Sequence, residues 1–279
     1  MINKQDSEEK PARRRTRRRT TAARDNTDTT AKRASVLSKK FSLTSFLPNI
    51  TTLCALCIGL SSVRFALQQQ WDWAIAAIIF AAIFDVMDGR LARYLGVTSR
   101  FGAELDSLSD FISFGASPTI ILYLGSLQDW DGFGWFVGLC LSMCMALRLA
   151  RFNTLSIEGT DEKWDESFFM GVPAPMAAFV ALLPVVLQLR FDWEWLTHPI
   201  ITTTFVLLAS IGAVSRIPTF STKKIYISRQ HVLPLVLSVT LFIAALFADP
   251  WLVLSVIGMG YICTIPFSIK QFNKNKKSA

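Results

Sequence analysis

Eight apolar runs follow one another after residue 44, at about 45–68, 72–94, 105–125, 133–153, 173–190, 199–216, 232–248 and 250–269. Each is close to the ~20 residues that a helix needs to cross a hydrocarbon core of roughly 30 Å. In that core the backbone finds no water, so a spanning segment must satisfy its own amides, as a helix does. The expected fold is therefore an all-α, polytopic membrane helix bundle. Composition agrees, since 51% of the 279 residues are hydrophobic, above the ~45–50% of soluble domains even with glycine counted there. The seventh and eighth runs are separated by Ala248, Asp249 and Pro250 alone, which predicts a tight helical hairpin.

Charge sets the expected orientation. Of 29 Lys and Arg, 13 lie in residues 1–43, where RRRTRRR stands at 13–19. With the N-terminus inside, the cytoplasmic connections carry 3 (Arg90, Arg93, Arg100), then 3 (Arg148, Arg151, Lys163), then 4 (Arg216, Lys223, Lys224, Arg229), and the C-terminal end carries 4 more, which makes 27. The opposite side holds Arg190 among Asp72, Asp129, Asp131, Asp192, Glu194 and Asp249, with Trp71, Trp73, Trp130, Trp135, Trp193, Trp195 and Trp251 as an interfacial belt. Such a bias follows the positive-inside rule and puts both termini in the cytoplasm. Residues 1–43 have too few apolar side chains to fold and are expected to be a disordered basic tail. A tail that is drawn to anionic lipid, or that sets topology, fits better than a nucleic-acid arm. The segment contains no apolar core of a cleavable signal peptide, so the first helix is expected to do the targeting. Cys54, Cys57, Cys140, Cys144 and Cys263 all fall in apolar runs and read as packing residues.

One stretch breaks the apolar pattern. From Asp85 to Asp110 the sequence reads DVMDGRLARYLGVTSRFGAELDSLSD, with four aspartates, three glycines and three arginines. A carboxylate at membrane depth costs on the order of 2.5–3.5 kcal/mol even on the lenient insertion scale, and such residues are usually paired, metal-bound or functional. At ~100° per residue, Asp85 and Asp88 lie about 60° apart on the second helix. Gly102, Asp106 and Asp110 advance by ~40° each and make one stripe on the third. The short connection near 95–101 predicts an antiparallel hairpin in which Asp88 lies across from Asp106 and Asp85 across from Asp110.

Oxygen-only ligation without His or Cys suits Mg²⁺, Mn²⁺ or Ca²⁺. The along-helix separations of ~4.5 Å and ~6 Å leave room for one ion or for a pair roughly 3.5–4 Å apart. Gly89 and Gly102 cost helix stability but open the backbone to something bulky, and Arg93 can bond a phosphate bidentately. Two other readings stand beside this one. The acids could pair with Arg90 and Arg93 as interfacial salt bridges, or they could line a proton or cation pathway, as in a cation transporter.

The pattern Asp85-x-x-Asp88-Gly89-x-x-Ala92-Arg93, eight residues, then Gly102-x-x-x-Asp106-x-x-x-Asp110 resembles the complete signature of the CDP-alcohol phosphatidyltransferase family. The resemblance covers roughly residues 44–216. It implies a six-helix catalytic core, here with two C-terminal transmembrane helices added, eight in total. The implied organisation is a basic tail over 1–43, the core over 44–216, the two further helices over 217–269 and a basic cytoplasmic tail over 270–279. It also implies that Asp85, Asp88, Asp106 and Asp110 hold divalent metal, Mn²⁺ or Mg²⁺ and up to two ions, with Asp110 also the catalytic base. Asp88, Gly89, Ala92, Arg93, Gly102 and Asp106 would bind the CDP-lipid.

Three further stretches resemble the phosphatidylserine synthase branch: Asp110-Phe-Ile-Ser-Phe-Gly-Ala-Ser-Pro118, Arg148-Leu-Ala-Arg-Phe-Asn153 and Phe169-Met-Gly-Val-Pro-Ala-Pro175. The implied reaction moves the phosphatidyl group of CDP-diacylglycerol to L-serine, and Arg148, Arg151 and Asn153 are the candidate acceptor-binding residues. Glycerol 3-phosphate, inositol phosphate and choline are the alternative acceptors. A zwitterion such as serine needs a cation for its carboxylate, which Arg148 or Arg151 can supply. Asn49, in Leu-Pro-Asn-Ile-Thr, matches another recurring family position, and helix N-terminal turn chemistry explains it equally well. The resemblance further implies a homodimer and a bacterial-type inner membrane as its place, with no nucleic-acid partner.

Overall fold

The computed structural model describes residues 46–97, 99–158, 168–215, 218–220 and 232–278. The basic segment 1–43 lies outside the described residues, as do Lys163, Arg216, Lys223, Lys224 and Arg229 of the charge count. Among the described residues the long helices are α1 (Leu47–Leu67), α2 (Trp71–Leu95), α3 (beginning Arg100–Asp110), α4 (Asp131–Glu158), α5 (Ala174–Phe191), α6 (Pro199–Val214), α7 (Val232–Ala248) and α8 (Pro250–Ser278). They follow the eight apolar runs in order. Four stretches are long and apolar enough to cross a membrane: α1, the run Arg100–Leu155 that contains α3 and most of α4, α5, and Pro250–Ser268 of α8. The apolar helices α6 and α7 are shorter, and α2 is apolar from Trp73 to Phe84 but carries Asp72 before that run and Asp85, Asp88, Arg90 and Arg93 after it.

Two boundaries differ from the sequence reading. α3 starts at Arg100, five residues before the apolar run, because Ser99 caps it: the Ser99 Oγ accepts from Gly102 N at 3.0 Å. α8 runs on through Ser278, past the expected end near 269. α3 also changes its winding. It passes into a π-helical stretch at Phe111–Ala116, returns to α at Ser117–Leu122, is π-helical again at Tyr123–Leu127, and ends in a 3₁₀ turn at Gln128–Trp130. Asp131, at φ 44°, then reverses the chain into α4.

Lipid offers helices no hydrophobic drive to associate, so close packing and interhelical hydrogen bonds hold such a bundle. Thr119 of α3 shows this, since its Oγ1 lies 2.9 Å from both Gly115 O and Gly138 O and 2.8 Å from Ser142 Oγ. Contacts of this kind run antiparallel along α3 and α4, from Thr119 with Gly138 to Ser107 with Asn153. The most enclosed helix is α5, where Leu182, Leu183 and Val186 are fully buried in the same core cluster as Ile75 and Ala81 of α2, Leu122 of α3 and Met145 of α4. α7 is the opposite: Leu241 and Phe247 are 72% and 86% exposed, a face suited to lipid tails. The framework is all-α. Beside it stands a three-residue antiparallel ribbon, β1 (Phe168–Met170) with β2 (Pro218–Phe220), which pairs the segment before α5 with the segment after α6.

The helix ends away from the carboxylates hold the aromatic belt. Phe191, Trp193 and Trp195 stack in sequence with centroids 5.1 and 5.8 Å apart, and Tyr123 meets Trp135 edge-on at 5.2 Å. Arg190 pairs there with Asp249 at the start of α8.

Candidate active site

The site is built by the turn between α2 and α3. Gly96, at φ 62°, closes α2 in the left-handed conformation that a Cβ disfavours, and the Ser99 cap starts α3 at once. So short a reversal sets both helices against α1, and their acids converge in the space between them. Asp85 and Asp88 of α2 and Asp106 of α3 bring carboxylate oxygens within 4.8 Å of one another. The Asp110 carboxyl lies against that of Asp85, as the depth count predicts. α1 closes the group from the side: the Thr52 side chain approaches Asp88, and Ser109 Oγ donates to Thr52 O at 3.2 Å.

Asp88 is 3% exposed, and its Oδ2 has no hydrogen-bond partner among the described residues. None of the four acids forms an ion pair among those residues. Arg93 instead turns its Nε back to Gly89 O at 3.0 Å, so the salt-bridge reading of these charges does not hold for it. A buried carboxylate oxygen without a donor is costly, and two more carboxylates beside it add repulsion. A divalent cation relieves both, so the residues fit a hard metal ion.

The remaining signature residues surround this cluster. A Cβ added at Gly89 would meet nothing within 4 Å, so the backbone there is open. Gly102 is tight: an added Cβ would lie 3.1 Å from Asn49 Oδ1 and 3.1 Å from Ser99 Oγ. Asn49 thus packs the first turn of α1 against the first turn of α3. Ala92 is half-buried on α2.

Beside the acids opens a cavity of ≈ 200 Å³, lined in part by Glu104, Asp106, Ser107, Asp110, Arg148 and Asn153. Arg148 is anchored through its Nε, which donates to Val172 O at 2.8 Å, and its guanidinium lies within electrostatic reach of Asp110 and Asp85. Ser107 Oγ donates to Asn153 Oδ1 at 3.0 Å and ties α3 to α4 at the rim. Of the acceptor candidates, Arg148 and Asn153 reach the cavity, while half-buried Arg151, one turn from Arg148, is not among its lining residues. Thr52, Glu104 and Ser107 were not singled out by sequence. Glu104 and Ser107 sit between signature residues, so their spacing on α3 was a usable signal; Thr52 had none.

A family model described as CDP-alcohol phosphatidyltransferase matches residues 45–215. The chain belongs to the CDP-alcohol phosphatidyltransferase family. A second model, CDP-alcohol phosphatidyltransferase 2, matches residues 230–266, which hold α7 and most of α8. Among the relatives of this phosphatidyltransferase is a CDP-diacylglycerol–serine O-phosphatidyltransferase of Mycobacterium leprae, 39% identical over 80% of this chain and 74% of its own. A protein of the same name from Helicobacter pylori is 31% identical over 83% of this chain and 96% of its own. An archaetidylserine synthase of Methanothermobacter thermautotrophicus is 34% identical over 49% of this chain and 57% of its own. The acids, the cavity and Arg148 all fall inside the first family match.

Proposed function

We propose that this phosphatidyltransferase moves the phosphatidyl group of CDP-diacylglycerol to the hydroxyl of L-serine, giving phosphatidylserine and CMP. The observation that carries the chemistry is the Asp85–Asp88–Asp106 cluster, with Asp110 beside it, next to a cavity that contains an anchored arginine. The choice of serine is supported by the relatives, whose names specify that acceptor.

In this reading Asp110 is the general base. It takes the proton of the serine hydroxyl as the serine oxygen bonds to the β-phosphorus. The bond from that phosphorus to the oxygen bridging the two phosphates breaks, and CMP departs with the oxygen. Asp85, Asp88, Asp106 and Asp110 would hold one or two Mg²⁺ or Mn²⁺ ions. When bound, such an ion offsets the charge that develops on the phosphoryl oxygens. Arg93 keeps its outer N–H groups for phosphate while its Nε is held by Gly89 O. Gly89 leaves space for the nucleotide with Ala92 beside it, and Gly102 lets the first turn of α3 close on Asn49 at the edge of that space. Arg148 takes the serine carboxylate beside Asn153, and Glu104, the lining acid outside the cluster, suits the ammonium.

The organisation that goes with this reading is a basic cytoplasmic tail over 1–43, a catalytic core over 44–216, two further helices over 217–269 and a basic end over 270–279. Both termini are cytoplasmic, the site works at the cytoplasmic leaflet, and the unit is a homodimer. The test is an acceptor assay. Labelled serine should enter lipid when CDP-diacylglycerol and Mn²⁺ or Mg²⁺ are supplied; labelling by glycerol 3-phosphate, inositol phosphate or choline in its place moves the chain to another branch.

A further inference from the structure

Tyr261 stands on α8, outside the residues 45–215 of the first family match, and still reaches the site. Its hydroxyl oxygen is buried and has no hydrogen-bond partner among the described residues. Its ring packs on the central core cluster, and its hydroxyl lies within electrostatic reach of the Arg148 guanidinium. α8 is firmly seated there. Gly258, about one turn before Tyr261, touches α5 so closely that an added Cβ would lie 3.1 Å from Phe179 Cε1 and 2.6 Å from Leu183 Cδ1. At its start, Asp249 pairs with Arg190 of α5 and accepts from Leu252 N at 3.0 Å.

Arg148 needs such a neighbour. Among the described residues its hydrogen bond is the one from Nε to Val172 O, and Val172 N is itself bonded to Gly212 O at 3.2 Å. That contact fixes one edge of the guanidinium and leaves the plane free to turn about it. Bidentate capture of a carboxylate requires the plane to be set. A buried phenol oxygen with no partner is an unmet acceptor, and the Arg148 guanidinium within its electrostatic reach carries the donors that could meet it.

We propose that Tyr261 is a positioning residue for acceptor recognition: α8 holds its hydroxyl near Arg148, and when the acceptor's carboxylate draws the guanidinium into place the phenol oxygen accepts from an Nη group and sets the guanidinium plane. The proposal rests on the reading that the acceptor is serine. It gives the two C-terminal helices a role in acceptor selection, separate from the CDP-lipid, whose ligands stand on α2 and α3.

The test uses the purified full chain and its Tyr261→Phe variant, with the KM for serine, the KM for CDP-diacylglycerol, kcat and the melting temperature measured in parallel. The expected result is a serine KM raised about tenfold, the size expected for loss of one hydrogen bond to a charged group. The CDP-diacylglycerol KM and the melting temperature should stay near wild type. A serine KM within twofold of wild type overturns the proposal. So does a fall in kcat with both KM values unchanged, which would place Tyr261 in the chemical step, or a variant that fails to fold, which would make it a packing residue. If wild-type protein takes up no serine while releasing CMP with another acceptor, the serine reading fails instead.

Discussion

Replacing Asp88 with Asn should make the metal-free protein more stable and the metal-loaded protein less so. The side chain is 3% exposed, one of its oxygens has no partner, and Asp85 and Asp106 stand within 4.8 Å of it. Leaving a buried polar group unsatisfied costs about 1–3 kcal/mol, and more when the group is charged. At 4.8 Å and an effective dielectric constant of about 20, each like-charge pair adds on the order of 3 kcal/mol of repulsion while both acids are ionised. Asn keeps the shape and removes the charge. Even the lower bound, about 1 kcal/mol, raises the melting temperature by roughly 2–4 °C for a chain of this size. Metal reverses the order. A bound ion at a hundredfold excess over its Kd stabilises the wild type by about 2.7 kcal/mol, and the variant should lose most of that gain. The assay is thermal unfolding in detergent, with EDTA and then with Mn²⁺. A variant that melts lower than wild type in EDTA and keeps the full Mn²⁺ shift would refute the reasoning, because Asp88 would then be a satisfied structural acid.

Two other outcomes follow from the same geometry. Asp110→Asn should lower kcat by about 10²–10⁴, the usual worth of a general base, while CDP-diacylglycerol still binds; turnover near wild type would remove Asp110 as base. Asp249→Asn loses the pairing with Arg190, whose side chains are 39% and 30% exposed, and should cost no more than about 1 kcal/mol. Asp249→Ala also loses the cap to Leu252 N and should cost a further ~0.5–2 kcal/mol, with activity at low temperature unchanged in both; equal melting temperatures for the two variants would deny the cap.

The sequence made the helices and the acid cluster legible because both are local. An apolar run of spanning length leaves the backbone little choice, and 3.6 residues per turn put Asp106 and Asp110 on one stripe. The start of α3 was harder, since Arg-Phe-Gly-Ala-Glu reads as a polar connection until Ser99 is seen to cap it. Hydropathy does not record a change of winding, so the π-helical turn after Asp110 was not visible. Neither was the β1–β2 ribbon, whose three-residue strands come from segments 50 residues apart and carry no alternation long enough to notice. The loss is greatest where two distant helices meet. Arg148 could be nominated from the Arg148-Leu-Ala-Arg-Phe-Asn153 stretch near the end of α4's apolar run, but only the packing of α8 on α5 through Gly258 holds Tyr261 within electrostatic reach of it. Arg151, equally eligible by sequence, is not among the residues that line the cavity.

The most direct test of the account is the fate of labelled serine with purified protein and CDP-diacylglycerol, with and without chelator. The account predicts label in phosphatidylserine, one CMP released per serine incorporated, and loss of both with EDTA or in the Asp88→Asn variant. Serine left unincorporated while CMP is released with another alcohol, or incorporation that persists in EDTA, would contradict it.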